Sequence, residues 1–484
     1  MGFKVIIVGG SISGLSLANM LERFGIDYVL LEGHSVIAPQ LGASIGLLPA
    51  GLRILDQLGC YETIRELAGN TYYTASMRLF SGKIWKDTQP VTFSEKLEER
   101  VGYPQIFVDR KTVIQVLFDK LQHKDRVLTD KRVNLVELDQ DRVNVHTKDG
   151  SVYTGDIVVG ADGVHSAVRG EMWRIAQEEK SGHFKPDEIS GLQCESKCIF
   201  GISKRPDCLP ASPAQMNAFF KNGNYMILTA PGDRLYWFLF TEAERTRGGD
   251  IPRYTKEEER VLAELHFGDR VTETMTFRDM YENRLQTTLA SMEDHVFRRW
   301  HYRRIITIGD AAHKVHPISA QGGNGAMETA AVLVNALRRE LERTHSEGRA
   351  ELAEADIEAV FAEAQEKRFG RAEGAVSQGR HTNSASIKET LFSKVFVDYF
   401  FPRYGQSLIF SLIVKNTASG PVVEGIPVPS RYEAAVARHE AARKSKGPSW
   451  TLWSMLTLGA GLLTAVCYSA LGPAWLGLSL AWTQ

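Results

Sequence analysis

Apolar and polar positions at the start of the chain alternate as in a series of strands and helices. Residues 5–8 and 28–31 are runs of Val, Ile, Leu and Tyr that indicate two buried strands, and residues 14–24 between them have helical periodicity. A strand, a helix and a second strand in this order form a βαβ unit, which implies a parallel sheet whose faces are covered by helices. The pattern therefore predicts an α/β fold.

The middle of the chain has a different pattern, which is typical of antiparallel strands. Short apolar runs lie within residues 176–294, a buried strand returns at 304–308, and a helix follows at 325–340. Residues 345–380 are rich in Ala, Glu and Arg, and we expect a helix there with a solvated face. We predict a discontinuous Rossmann-like domain at residues 1–175 and 295–345, with a small insertion at about 72–104. A substrate domain occupies residues 176–294. A helical region follows at 346–446, and an anchor at 447–484.

The C-terminal segment 447–484 contains no charged residue, and the run from Trp450 to Leu471 is continuously apolar. About 22 helical residues reach about 33 Å, which is enough to cross a hydrocarbon core of about 30 Å. Basic residues just before the run predict that the main body lies on the cytosolic side. We expect a C-terminal transmembrane helix, with a buried core helix as the alternative. A second aromatic-rich stretch, residues 395–414, is interrupted by charges and proline and suits a docked or membrane-facing patch.

Composition narrows the function classes. The chain has 484 residues, with 57 Lys and Arg against 58 Asp and Glu, so its net charge of −1 offers no electrostatic basis for nucleic-acid binding. Five irregularly spaced cysteines do not form a disulfide framework, and no second Cys/His pair follows Cys194 and Cys198, so we expect no metal site. The apolar fraction of 43% excludes a disordered chain. The N-terminus has no pattern of a cleaved secretory signal.

A glycine-rich turn follows the first predicted strand. Gly9 and Gly14 occupy the first and third glycine positions of the pattern G-x-G-x-x-G, and Ser11 replaces the second. These positions allow the tight turn, the approach of a pyrophosphate and close packing of the helix, whose N-terminus favours an anion. Glu32 ends the second strand, where a carboxylate accepts hydrogen bonds from a ribose. The turn therefore predicts a site for FAD or NAD rather than NADP.

Two further segments occur after buried strands. The first, residues 160–169, contains Asp162 and Gly163, and the second contains Asp310 and leads to Gly322, Gly323 and Asn324 at the start of a long helix. With the glycine turn, these segments resemble the three signatures of the class A flavoprotein monooxygenases, which have the para-hydroxybenzoate hydroxylase fold. The resemblance covers about residues 1–345 and implies FAD as the cofactor and NAD(P)H as the co-substrate.

The resemblance also implies roles for individual residues. Four residues match the ADP-binding fingerprint: Gly9, Ser11, Gly14 and Glu32. Gly46 lies where the chain passes the cofactor, and Arg110 resembles the arginine that contacts FAD at the start of its helix. Asp162 matches a segment that touches FAD, Asp310 matches the acid that binds the ribityl chain, and Gly322, Gly323 and Asn324 match the edge of the isoalloxazine ring. Turn glycines, and a helix cap at Asp310, are the structural alternatives.

Several stretches, among them residues 42–59, 199–203 and 313–328, together with the apolar tail, resemble fungal monooxygenases of meroterpenoid and indole-diterpene pathways. Those enzymes epoxidise an alkene of a prenyl chain with O2, and a membrane terpene cyclase acts next. The resemblance implies a farnesylated or geranylgeranylated substrate, a location at the endoplasmic reticulum membrane and a cytosol-facing catalytic domain. A cyclase is the implied partner.

Catalytic side chains are harder to assign. Tyr225 resembles an active-site tyrosine of some relatives, and its phenol would orient the substrate or donate a proton, but cross-strand packing explains it equally well. His313 and His316 lie near the Asp310 segment, where such histidines more often bind the local backbone. Three other functions stay open: hydroxylation of a phenolic polyketide, a membrane-held redox partner or scaffold, and reduction of a prenyl double bond.

Overall fold

The computed structural model describes residues 2–39, 44–139, 141–209, 212–347, 351–387 and 390–445. The chain divides into two units, residues 1–433 and residues 434–484. In the second unit the described residues are 434–445, which belong to the helix Ser430–Ser445. The predicted anchor from Trp450 to Leu471 lies outside the described residues. Within the described ranges, no helix is long and apolar enough to cross a membrane.

The secondary structure mixes helices and strands along the whole of the first unit. The strands, in chain order, are β1 (Lys4–Val8), β2 (Asp27–Leu31), β3 (Ser44–Leu47), β4 (Thr74–Arg78), β5 (Ile84–Lys86), β6 (Ile106–Asp109), β7 (Val127–Leu128), β8 (Val133–Asp139), β9 (Arg142–Thr147), β10 (Val152–Gly155), β11 (Ile157–Gly160), β12 (Gln193–Lys204), β13 (Ala214–Phe220), β14 (Gly223–Ala230), β15 (Arg234–Arg247), β16 (Arg284–Val296), β17 (His301–Tyr302), β18 (Ile305–Thr307) and β19 (His313–Lys314). The α-helices are α1 (Ile12–Arg23), α2 (Pro49–Gln57), α3 (Tyr61–Ala68), α4 (Phe93–Val101), α5 (Arg110–Lys120), α6 (Ala167–Glu178), α7 (Pro186–Ile189), α8 (Lys256–Leu265), α9 (Phe277–Glu282), α10 (Gly322–Ser346), α11 (Glu354–Ile387), α12 (Leu391–Val395), α13 (Gln406–Ala418) and α14 (Ser430–Ser445), with a π-helical segment, Phe396–Gly405, between α12 and α13.

A six-stranded sheet forms the centre of the fold, in the order β17-β18-β11-β1-β2-β7. Its strands pair in parallel except at β17, and β1 is the middle strand between β2 and β11. Val5 and Ile7 pack on one face against α1 and α10, whereas Ile6 and Val8 pack on the other face against α6. Burial on both faces explains why β1 is apolar at every position from Val5 onwards. This arrangement confirms the predicted α/β fold.

The second large sheet has eight strands in the order β19-β16-β12-β15-β14-β13-β4-β5. Strands β4 and β5 come from the segment 72–104, and β4 pairs in parallel with β13. One face of this sheet is covered by α8 and α9, and the other face packs against Phe107 and Ile387. The segment 72–104 therefore extends the same sheet to which residues 193–296 contribute.

Helix α11 has the solvated face that composition predicts for residues 345–380, with Glu358, Glu366 and Glu373 exposed, and it also has a buried face. It packs against α10 and buries a row of residues along its length, including Ile357, Phe361 and Ala364. Arg368 is only 1% exposed and pairs with Glu328 of α10. Arg368 is tolerated in the interior because a buried carboxylate on another element compensates its charge.

Candidate functional site

A cleft of about 380 Å³ lies at the carboxyl ends of the parallel strands of the central sheet. Val8, Leu31 and Ala161 mark the ends of three strands at its floor. In open α/β sheets, ligands bind outside the carboxyl ends of the strands, where successive loops diverge. Eight of the residues that the sequence predicts to bind the cofactor line this cleft: Gly9, Ser11, Glu32, Arg110, Asp162, Asp310, Gly322 and Gly323.

Close packing explains why glycines form the first turn of the cleft. Gly9 has a φ of +108°, and a Cβ built on it would lie 2.4 Å from the carbonyl oxygen of Ala161. A Cβ on Gly14 would lie 1.9 Å from the carbonyl oxygen of Gly9. Any side chain at either position would move the turn away from β1 and β11. Backbone N–H groups at the N-terminus of α1 therefore lie next to the cleft, as anion binding requires.

Ser11 and Arg110 approach each other at the edge of the cleft. Ser11 is the N-cap of α1, but its hydroxyl does not cap the helix. Instead, the Ser11 hydroxyl accepts a hydrogen bond of 2.6 Å from the Arg110 guanidinium, which stands at the start of α5. The pair leaves a cation and a small hydroxyl facing the cleft, both of which suit a phosphate oxygen.

Glu32 lies at the end of β2 and is 9% exposed. One of its carboxylate oxygens accepts a hydrogen bond of 2.6 Å from the backbone N–H of Gly10, and the other accepts one of 2.8 Å from the N–H of His34. The His34 ring Nδ1 is also 2.6 Å from the second oxygen. These contacts hold the carboxylate over the glycine turn, and an ionised carboxylate with about four acceptor positions retains capacity for a hydroxyl donor.

Asp162 is half-buried beside the cleft, and its carboxylate is only partly satisfied. One carboxylate oxygen accepts a hydrogen bond of 3.1 Å from the backbone N–H of Val168, and the other finds no hydrogen-bond partner among the described residues. Burial raises the pKa of Asp162. Arg169 fixes the neighbouring backbone, since its guanidinium donates to the carbonyls of Val164 and Ala311 at 2.7 and 2.8 Å. The Asp162 and Asp310 segments are thereby held together.

Asp310 and the first residues of α10 form the opposite wall. The Asp310 carboxylate accepts a hydrogen bond of 2.6 Å from the Lys314 ammonium, and this carboxylate raises the pKa of Lys314 although burial opposes the shift. A Cβ on Gly322 would meet only the Asp310 carboxylate, at 3.9 Å, so the backbone of this turn is open to the cleft. Gly323 differs, because its Cβ would lie 2.6 Å from Ile45. The start of α10 thus presents bare backbone next to an acid.

Gly46 and Asn324 lie outside the lining of the cleft in the described part of the chain. Asn324 is 3% exposed and clamps β3 to α10: its amide nitrogen donates to the carbonyls of Gly46 and Ala320, and its oxygen accepts from the N–H of Leu48. Gly46 packs against Ala320 and Phe107. These contacts position β3 against α10, and the contact of Asn324 with the flavin edge stays a prediction.

Tyr225 faces away from both cavities of the site. Its neighbour in β14, Met226, lines the second cavity described below, and successive side chains of a strand point to opposite faces. The Tyr225 ring packs against Phe277 of α9, and its hydroxyl donates a hydrogen bond of 2.7 Å to Asp269. Burial and the Asp269 carboxylate raise its pKa well above the usual value. This placement supports the packing interpretation of Tyr225 rather than the catalytic one.

His313 and His316 are both 1% exposed and bind groups within the protein. The His313 ring is 2.8 Å from the hydroxyl of Thr329, and the His316 ring is 3.1 Å from the hydroxyl of Ser196. Burial lowers the pKa of each histidine to about 3, so both rings are neutral at physiological pH. Neither ring lines the cleft.

A second cavity, of about 210 Å³, lies next to the cleft. Its wall includes residues 318–321, which directly precede Gly322, and residues of β3–α2, β6, β13, β14 and α13. The lining comprises Leu48, Tyr73, Ala75, Ser76, Met77, Trp85, Phe93, Ser94, Gln105, Phe107, Gln215, Asn217, Met226, Ile318, Ser319, Ala320, Gln321, Gln378, Phe401, Gln406, Ile409, Leu412, Ile413 and Asn416. None of these described residues carries a charge. The cavity therefore suits an apolar molecule that is oriented by amide and hydroxyl groups.

Sequence reasoning missed several polar residues of the cleft, above all Lys131 and Arg132. They precede β8 and belong to no motif. The pairing of β7 with β2 brings them to the cleft, where the N–H of Lys131 donates to the carbonyl of Glu32 at 2.8 Å. A basic pair just before a strand was the available signal, but only strand order places it. His34, which also lines the cleft, was missed, and so was Lys314, which binds the cleft residue Asp310; each lies within four residues of a predicted acid.

Comparisons with known proteins agree with this geometry. A family model described as FAD binding domain matches residues 2–367. FAD-dependent monooxygenase spyC of Aspergillus fumigatus is 38% identical over 407 residues, which cover 84% of this chain and 84% of that protein. FAD-dependent monooxygenase ausM of Penicillium brasilianum is 34% identical over 471 residues, which cover 97% and 96%.

Solved structures show the same fold at lower identity. Klebsiella pneumoniae HpxO, in its complex with FAD and uric acid, matches with a TM-score of 0.68 at 22% identity, over 87% of this chain and 97% of that one. The tetracycline destructase Tet(51) matches with a TM-score of 0.63 at 16% identity, over 89% and 100%. These likenesses concern the fold alone.

Proposed function

This chain is a member of the FAD-binding domain family and a FAD-dependent monooxygenase, and from this premise we propose that it epoxidises an alkene of a prenylated molecule. NAD(P)H is the reductant typical of the class, and O2 is the oxygen donor. The resemblance of residues 42–59 and 313–328 to meroterpenoid and indole-diterpene monooxygenases supports the choice of substrate class.

The cleft fits FAD on the chemistry of its walls. The glycine turn after β1 leaves space for a pyrophosphate, and the Glu32 carboxylate has acceptor capacity for ribose hydroxyls. Asp162 has a buried oxygen without a partner among the described residues, and a Cβ on Gly322 would contact only the Asp310 carboxylate, at 3.9 Å. We assign the adenosine diphosphate to the turn with Ser11 and Glu32, and the flavin end to Asp310, Gly322 and Gly323.

The observation that carries the proposed substrate is the uncharged second cavity beside the flavin end of the cleft. Epoxidation removes no proton from the alkene. It therefore requires an apolar chamber and exclusion of water rather than a side chain that deprotonates the substrate. Hydroxylation of a phenol is favoured by a group that removes the phenol proton. A cavity wall of aromatic, aliphatic and amide side chains supports the alkene over the phenol.

Bound FAD would supply the redox and oxygen-transfer chemistry of the reaction. The balance is one alkene, one O2, one NAD(P)H and one proton giving one epoxide, one water and one NAD(P)+. The residues of this chain orient the partners: Asn324 fixes β3 against α10, and Phe107 and Ile318 bound the cavity next to the flavin. The polar side chains Gln215, Asn217 and Gln321 are placed to hold the head group of the substrate.

The test is NADPH-dependent O2 consumption by the purified full chain with a farnesylated aromatic acid, compared with the same acid without its prenyl chain. We expect a product heavier by one oxygen atom, with oxygen on the prenyl chain, and one NADPH consumed per product. Oxygen on the aromatic ring would favour the phenol hydroxylase. NADPH oxidation that yields a saturated prenyl chain without O2 uptake would favour the reductase. Flavin reduction without any product would favour the redox partner.

A single substitution sharpens the test. Asn217→Asp keeps the shape of the side chain but places a carboxylate in the uncharged cavity. Because a buried charge without a partner disfavours apolar substrates, we expect kcat/KM for the prenylated acid to fall at least about tenfold. The matched control is Asn70→Asp, at an exposed position outside the cavity, which is expected to leave kcat/KM unchanged. An unchanged kcat/KM in Asn217→Asp would contradict the proposed role of the cavity.

The predicted membrane anchor from Trp450 to Leu471, the location at the endoplasmic reticulum and a terpene cyclase acting next are further parts of this proposal. They follow from the apolar tail and from the chemistry of an epoxide on a prenyl chain, which is a substrate for acid-triggered ring closure. Recovery of the full chain in the membrane fraction, and its release when residues 447–484 are removed, would test the anchor.

A further inference from the structure

The segment from α12 to α13 has two different apolar faces. Its inner face lines the second cavity with Phe401, Gln406, Ile409, Leu412 and Ile413. Its outer face exposes six large apolar side chains, which range from 53% to 84% exposed: Leu391, Phe392, Val395, Tyr399, Tyr404 and Leu408. We call these six residues the aromatic strip. One segment therefore separates an apolar cavity from an apolar surface.

The π-helical segment keeps the aromatic strip on one side. Steps of three or four residues lead from Phe392 to Val395 and Tyr399, as on the face of an α-helix. The next member, Tyr404, follows after five residues, a step that fits the wider π turn of Phe396–Gly405. In a regular α-helix, Arg403 would take the place of Tyr404. The unusual helix thus lengthens a continuous apolar surface, and Pro402, which lacks an N–H, lies within it.

The charges around the strip indicate what covers it. Lys394, Arg403 and Lys415 are exposed beside it. Asp398 is the acid of the segment, and its carboxylate is occupied by the backbone N–H groups of Phe80 and Ser81, at 2.8 and 3.1 Å. A row of apolar and tyrosine side chains flanked by cations matches the boundary of an anionic lipid surface, where tyrosine hydroxyls stay at the level of the head groups.

The remainder of the chain points to the same partner. After α14 the sequence ends in residues 447–484, which contain no charged residue. A protein held at a bilayer by such a tail keeps its other apolar surfaces close to lipid. Exposed apolar patches of this kind mark interaction sites.

We propose that the aromatic strip docks on an anionic lipid surface and that a membrane-dissolved substrate reaches the second cavity past the segment 391–413. The docking stands on the strip itself, whereas the delivery of substrate rests on the proposed prenylated substrate. Lipid would then meet the outer face of the segment, and the prenyl chain would leave the bilayer beside its inner face.

Quenching by lipid tests the docking without any turnover. In the full chain with Cys208→Ser and Cys467→Ser, a fluorophore is attached at Leu408→Cys and the protein is placed in phosphatidylcholine and phosphatidylserine vesicles. Spin-labelled lipids are expected to remove most of the fluorescence at position 408 and little of it at Leu285→Cys, an exposed apolar control on β16. Equally weak quenching at positions 408 and 285 would overturn the docking. This is also the result expected if the tail or another protein, rather than lipid, covers the aromatic strip.

Kinetics test the delivery. The variant Phe392→Ser/Tyr399→Ser/Leu408→Ser is expected to raise KM for a vesicle-borne prenylated acid about tenfold without changing kcat, and to leave both constants unchanged in detergent micelles. The matched control replaces three exposed apolar residues elsewhere: Val261→Ser/Leu265→Ser/Leu285→Ser.

An unchanged KM in vesicles for the strip variant, with its flavin content and Tm intact, would overturn the delivery. Strong quenching at position 408 in a chain that oxidises no prenylated acid would leave the docking in place and refute the proposed function instead. If the triple variant fails to fold, the quenching measurement alone decides the docking, and a single Tyr399→Ser variant decides the delivery.

Discussion

Glu328→Gln is expected to destabilise the protein more than any surface substitution, because it removes the carboxylate that pairs with the buried Arg368 guanidinium of α11. The Glu328 and Arg368 side chains are 4% and 2% exposed, and their closest oxygen and nitrogen are 2.8 Å apart. Arg371 makes a second ion pair of 2.6 Å with the same carboxylate. Arg368 also donates to the hydroxyl of Thr329 and to the carbonyl of Gly325 at the start of α10.

The magnitude follows from two independent routes. Two unit charges about 4 Å apart interact by about 4 kcal/mol at an effective dielectric constant of about 20. Removal of one member of a buried pair costs about 3–5 kcal/mol in general, since the other charge is left uncompensated. Burial already lowers the pKa of Arg368, and Glu328 opposes that shift. We therefore expect Glu328→Gln to lower the free energy of unfolding by about 3–5 kcal/mol.

The assay is guanidinium unfolding of the flavin-loaded protein, followed by circular dichroism and flavin fluorescence. The control Glu347→Gln removes an exposed partner of Arg343, with side chains 45% and 47% exposed, and is expected to cost less than about 0.5 kcal/mol. The variant Glu328→Leu/Arg368→Met, which removes both charges, is expected to recover most of the loss. A loss below about 1 kcal/mol for Glu328→Gln would refute the reasoning.

Three further predictions concern the glycine turn, a buried histidine and Tyr225. Gly9→Ala is expected to abolish the flavin absorbance of the purified protein, because its Cβ would lie 2.4 Å from the carbonyl oxygen of Ala161; a normal flavin spectrum would contradict this. His316 has a pKa lowered to about 3 by burial, so the unfolded chain takes up its proton first and stability falls as the pH drops from about 6.5 towards 3. The free energy of unfolding should therefore fall between pH 7 and pH 4 by up to about 3 kcal/mol less in His316→Gln than in the wild type. An equal fall in both proteins would exclude a neutral buried ring. Tyr225→Phe is expected to keep kcat within about twofold and to lose about 0.5–1.5 kcal/mol of stability, because Asp269 loses one hydrogen bond and keeps the one to the His266 ring; a large fall in kcat at unchanged Tm would restore the catalytic interpretation.

Local patterns carried much of the prediction. The run of apolar residues in β1, the glycines at positions 9 and 14 and the acid at position 32 each express a constraint that acts within a few residues or within one βαβ unit. A buried parallel strand must be apolar on both sides, and a tight turn against a neighbouring strand has no room for a Cβ. Such local constraints can be recognised from the amino-acid sequence.

The direction of individual side chains and the contacts between distant segments could not be predicted from the sequence. The alternation in β14 shows that Tyr225 and Met226 point to opposite faces, but not which face meets the flavin. Asn324 stands beside two glycines of the cleft, yet its amide turns to β3. Composition predicts a solvated face for the helix that contains Arg368, and only the packing of α11 on α10 shows that Arg368 lies on the buried face.

The sequence by itself thus determined the α/β class, the nucleotide turn and the flavin family of this protein. The tertiary structure alone decided the composition of the second cavity, because its lining runs from Leu48 to Asn416 and comes from many separate elements. It also decided that Lys131 and Arg132 reach the cleft, through the pairing of β7 with β2. The physical reason is range: turns and buried strands are specified by neighbours in the chain, whereas a cavity is specified by side chains that only folding brings together.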